Sequence, residues 1–187
     1  MLSRSVTNLA LAIFGVCGIG ESPPALNLEA KWDTWRSAGC HLVPVSGKSE
    51  LVQPLAIAQL LSIPVFLMFD ADGDEQNAGR RILHKADNER LLKLLGLDPT
   101  QPFPTAPILT DKHVIWVENL GSKVRSDYAA GEWSAWKTAT EAELGQPGGL
   151  EKNSLCIAGI LEKAWAAGKP SPTLQQLSAL LLQFSAA

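Results

Sequence analysis

Asp70, Asp72 and Asp74 alternate at the end of the apolar run Pro64-Val65-Phe66-Leu67-Met68-Phe69. Carboxylates packed this closely repel one another, and a bound hard cation resolves the repulsion. Carboxylate with water is the ligand set that Mg²⁺ takes. The run has β-branched and aromatic members and reads as a strand buried on both faces. Open α/β sheets carry their ligand crevice at the carboxyl ends of the strands. Alternate residues of an extended chain point the same way, so Asp70 and Asp72 are expected to project to one side. The plainer alternative is an acidic turn with Gly73 at positive φ. An EF-hand loop fits poorly. Glu75 stands where that pattern wants Gly, Arg81 where it wants the bidentate Glu, and a strand precedes it where a helix is needed.

Two further groups join this constellation. Gly47-Lys48 follows the strand-like His41-Leu42-Val43-Pro44-Val45, and Glu118 closes another, His113-Val114-Ile115-Trp116-Val117. In a parallel sheet these loops converge on one edge, where a lysine, a D-x-D and a glutamate could hold Mg²⁺ against a phosphate. Gly47-Lys48-Ser49 is not a Walker loop, because the upstream glycine of that motif falls at Leu42. Lys48 reads as a phosphate or structural contact rather than a base, and Ser46 and Ser49 as caps of the helix that follows.

The elements that must position these residues are legible from periodicity. Leu28, Trp32 and Trp35 mark a helix over 25–38, stopped by Gly39. Helices are also expected over 50–61 and 74–95, with a proline-rich loop over 99–107. Strand, helix and strand in succession imply a right-handed parallel crossover. After Leu120 only helices are expected, over 132–144, 154–167 and 172–184, with breaks at Gly145–Gly149 and Gly168-Lys169-Pro170. Trp133, Trp136 and Trp165 read as core anchors of these helices.

Composition sets the limits. The chain has 187 residues, 46% hydrophobic and 19% charged, enough for a real core. A net charge of −3 gives no global basic field, so nucleic-acid binding must rest on a local patch or on bound metal. Cys17, Cys40 and Cys156 form no zinc spacing and fit a reducing, cytoplasmic setting. His41, His84 and His113 form no cluster and read as packing or surface residues. Leu9 to Cys17 resembles a signal-peptide core but is too short to span a bilayer, so a buried first strand or an atypical terminal segment is expected. Gly15, Gly18 and Gly20 do not make the dinucleotide fingerprint.

The ordered set then resembles a family. A Glu-bearing strand, then a D-x-D after an apolar strand, is the TOPRIM pattern of topoisomerases, primases and some nucleases. Gly39 to Ser49, Pro54-Leu55-Ala56-Ile57-Ala58 and Ile63 to Asp74 resemble the TOPRIM half of OLD-family (overcoming lysogenization defect) ATP-dependent endonucleases. Val117-Glu118-Asn119-Leu120 is similar to that family's later acidic position. Leu150-Glu151-Lys152-Asn153 is similar to its Lys-Asn element, which supplies a catalytic lysine before a helix.

The resemblance implies an α/β fold with a TOPRIM-like, mainly parallel sheet flanked by helices and a small C-terminal helical appendage. Its parts would be an atypical segment over 1–24, the α/β domain over 25–120 and the appendage over 121–187. It implies a two-metal phosphodiesterase with Mg²⁺ or Mn²⁺ on Asp70, Asp72, Asp74 and Glu118, and with Asp70, Asp72 and Lys152 catalytic. The partners so implied are DNA, an ATPase domain or subunit encoded upstream and a second copy of the chain, with no membrane. One departure stands out. TOPRIM enzymes begin with a strand ending in a catalytic glutamate, commonly followed by Gly, whereas Glu21 is the only acid here before Glu29. The chain therefore resembles a fragment or stand-alone remnant, with weakened cleavage or a non-catalytic DNA- or partner-binding role as the expectation.

Overall fold

In the computed structural model, which describes residues 11–15 (backbone alone), 39–148 and 153–186, five strands form one sheet. They are β1 (Leu11–Gly15), β2 (His41–Pro44), β3 (Val65–Asp70), β4 (Ile108–Leu109) and β5 (His113–Trp116), in the spatial order β2-β1-β3-β5-β4. β1 runs parallel to β2 and β3, and β3 runs parallel to β5. The two-residue β4 is the antiparallel edge. The helix expected over 25–38, Glu21, Cys17 and Lys152 lie outside the described residues.

The helices are α1 (Val52–Leu60), entered through a 3₁₀ turn at Lys48–Leu51, α2 (Ala78–Leu94), α3 (Leu120–Arg125), α4 (Ala130–Glu143), α5 (Ser154–Ala166) and α6 (Pro172–Ser185). The described residues divide into two compact units, one of 11–15, 39–119 and 181–186, the other of 120–148 and 153–180. No described helix is long and apolar enough to cross a membrane.

In the first unit, alternation along β3 sends its side chains to two faces. Leu67, Phe69 and Ala71 join Ile115 of β5, Leu51 and Leu55 of the α1 region, and Leu91 and Leu92 of α2 in one buried cluster. On the other face Phe66 is fully buried and meets Phe184 edge to face, with centroids 5.6 Å apart. Both faces are apolar, as the unbroken hydrophobic run predicts.

In the second unit, α4 and α5 pack closely. A Cβ on Gly159 would lie 2.6 Å from Thr140 Cγ2, so only glycine allows this approach. Asp127 fixes the start of α6: it accepts from Thr173 N at 3.0 Å, from Thr173 Oγ1 at 2.9 Å and from the Ser171 hydroxyl. Asn153 caps α5, its Oδ1 accepting from Cys156 N at 3.1 Å. Trp133 and Trp136 pack on Tyr128, but Trp165 is 44% exposed and anchors no core, contrary to its apolar context.

Candidate functional site

The chain leaves β3 at Asp70, which is buried at 5% exposure. It does not continue extended. Asp72 takes φ 54, and Gly73 is not among the positive-φ residues, which corrects the expectation on both counts. Aspartate tolerates the left-handed region better than most residues, though at some cost. Asp72 is therefore placed by a bend rather than by the alternation of an extended strand. The bend is stitched to the segment after β5. Ala71 N donates to Trp116 O at 2.8 Å, Asp72 N to Glu118 O at 3.3 Å and Gly73 N to Val117 O at 2.8 Å.

Lys48 closes the turn from the β2 side. Its Nζ donates to Asp70 O at 2.9 Å, to Ala71 O at 3.3 Å and to Asp72 Oδ2 at 2.7 Å. From α2, His84 Nδ1 stands 3.2 Å from the same Oδ2, and its Nε2 stands 4.0 Å from Glu75 Oε2. Arg81 Nη1 donates to Gly73 O at 2.7 Å and Glu75 O at 3.3 Å, while its guanidinium lies 4.3 Å from the Phe103 ring centroid. The fully buried Asn88 donates from Nδ2 to Ala71 O at 2.9 Å and Pro102 O at 2.8 Å.

The structure thus brings Lys48, Asp70, Asp72 and the Glu118 peptide together. Asp74 is exposed, its carbonyl accepting from Gln76 Nε2 at 2.7 Å. Glu118 is also exposed and lies two residues past β5, which ends at Trp116. His84 is no bystander, as its isolation in the sequence had suggested. Arg81, His84 and Asn88 all reach the turn, and their spacing of three and then four residues puts them on one face of α2. That spacing was visible in the sequence.

Hard oxygen donors suit Mg²⁺ or Mn²⁺. Among the described residues no three Asp, Glu, His or Cys side chains form a ready cage. That is compatible with Mg²⁺, which keeps several waters and takes one or two carboxylates together with substrate phosphates. Asp70 and Asp72 are the carboxylates at the sheet edge that could take it.

Architecture defines the class first: a mainly parallel α/β sheet with a helical C-terminal part. Two solved structures of the C-terminal region of the Xanthomonas campestris pv. campestris OLD protein share it. The one phased with platinum matches with a TM-score of 0.55 and 12% identity, over 96% of this chain and 93% of that one. The one phased with mercury matches with a TM-score of 0.54 and 13% identity, over 97% of each chain. No family model and no curated protein matches the sequence. The chain therefore has the fold of an OLD C-terminal region.

Proposed function

We propose that this chain is a Mg²⁺- or Mn²⁺-dependent DNA endonuclease domain of the TOPRIM type, acting at the acidic turn. The observation that carries the reading is the position of Asp70 and Asp72. Asp70 ends β3 and Asp72 follows it, at the carboxyl edge of the sheet, beside the point where the strand order reverses between β1 and β3. The OLD-like fold supports it. Asp70 and Asp72 would hold one ion, with Asp74 and Glu118 toward a second. Bound ions would supply an activated water and stabilise the leaving oxygen. Lys152 takes the charge-neutralising role by resemblance alone.

The 187-residue chain is expected to nick supercoiled plasmid slowly with Mn²⁺ and not with EDTA. Asp70→Ala with Asp72→Ala is expected to abolish both nicking and calorimetric Mn²⁺ binding. Equal Mn²⁺ binding by the wild type and the double variant would sink the proposal.

One observation favours a second reading, a non-catalytic DNA- or partner-binding module: Asp72 already carries an ion pair with the buried Lys48. DNA binding that survives EDTA, without cleavage under any divalent ion, would select it.

A further inference from the structure

We propose that Lys48 is the resident counter-ion of the acidic turn, holding the turn assembled without metal and opposing an incoming dication. This rests on the metal reading of the turn given above. Lys48 comes from the segment after β2, whereas its partners Asp70, Ala71 and Asp72 lie more than twenty residues on. An ammonium has three donors, and Lys48 directs them at two carbonyls and one carboxylate. Its side chain is 8% exposed, against 32% for Asp72. This is a fixed charge shielded from water, unlike a surface lysine trailing in solvent.

The choice of oxygen matters. Lys48 and His84 both approach Asp72 Oδ2, and among the described residues no hydrogen bond or ion pair reaches Oδ1. Oδ1 is the atom left to take a ligand. A dication there would sit within a few ångströms of the ammonium, at a range where salt does not screen. The repulsion scales with the product of a double and a single charge, and burial strengthens it.

Removing Lys48 has two opposed effects on metal affinity. It lifts that repulsion, and it loosens a carboxylate on a residue held at φ 54. The first effect is the larger, because the bonds from Ala71, Asp72 and Gly73 N to the segment after β5, and from Asn88 to Ala71 O, still hold the turn's backbone, and freeing the Asp72 side chain alone costs only a little rotamer entropy. Metal-free stability should move the other way, since an acid left without its buried partner is costly.

The test uses the full chain, stripped with EDTA and titrated with Mn²⁺ alone by calorimetry, with melting temperature measured in parallel. Lys48→Met is expected to bind Mn²⁺ at least about tenfold more tightly than wild type. It should melt lower without metal and gain more from Mn²⁺. Folded Lys48→Met with unchanged or weaker Mn²⁺ affinity overturns the inference while leaving the metal reading intact. Failure of wild type and variant alike to bind Mn²⁺ overturns the metal reading, and the opposing role falls with it.

A metal-free arm covers a variant too unstable to titrate. Lys48→Met combined with Asp72→Asn should recover part of the melting temperature that Lys48→Met loses, because both charges are then gone. Strictly additive losses would overturn the counter-ion role.

Discussion

Position 113 holds a histidine where the fold opposes its charge. His113 opens β5 at 8% exposure, and its Nε2 is buried with no hydrogen-bond partner among the described residues. Burial lowers its pKa from the usual 6.5, with Asp111 pulling the other way and Lys112 adding to the drop. The sign follows from linkage. Above the unfolded value the imidazole is neutral in both states and costs nothing. Once pH falls below 6.5, the unfolded chain takes a proton that the folded chain resists, so stability declines toward the folded pKa. His113→Leu should therefore lose less melting temperature than wild type between pH 7.5 and pH 5.5, roughly the span in which an ordinary histidine titrates. Parallel losses in the two proteins would show that His113 ionises in the fold as it does in solution.

At the scale of elements, the contact between the acidic turn and the segment after β5 leaves no room for a side chain. A Cβ on Gly73 would lie 2.9 Å from Val117 O, a backbone atom that cannot swing aside. The same oxygen accepts from Gly73 N at 2.8 Å. Gly73→Ala should cost about 1–3 kcal/mol, as overpacking does, and weaken Mn²⁺ binding by displacing Asp72. Gly47→Ala is the control, since nothing lies within 4 Å of its added carbon. Equal melting temperatures for the two variants would refute the tight-contact argument.

The elements also show what a sequence carries. The run before Asp70 was legible because both faces of β3 are buried and every position is apolar. The helix after it starts at Ala78, not at Asp74. Residues between are taken by the turn, and Asn77 caps α2 by accepting from Arg80 N at 3.0 Å. β4 has two residues and exists only by pairing with β5, so no local periodicity announces it. The short α3 went unread for a related reason, with six residues and Gly121 within them. Lys48 was singled out by type alone. Its partners are distant in sequence, and no local pattern encodes that meeting.

For the molecule as a whole, topology decides where a missing ligand would have to come from. β1 lies between β2 and β3 in the sheet, and the strand order reverses beside it. Ligands of open α/β sheets sit at that reversal, off the carboxyl ends of the strands. The register puts Gly15, the last residue of β1, level with Phe69. That register makes the carboxyl end of β1 the place to add a carboxylate beside the acidic turn. The sequence there reads Val16-Cys17-Gly18, and the first acid is Glu21. Affinity for a hard cation rises with the number of charged ligands. Val16→Glu with Cys17→Gly should therefore raise Mn²⁺-dependent plasmid nicking by about tenfold or more, and tighten Mn²⁺ binding in the same direction. Asp70→Ala should cancel both gains, since the new carboxylate alone is not a site. A variant that folds as wild type does yet nicks no faster would mean that Glu21 or another side chain already supplies the ligand at the end of β1.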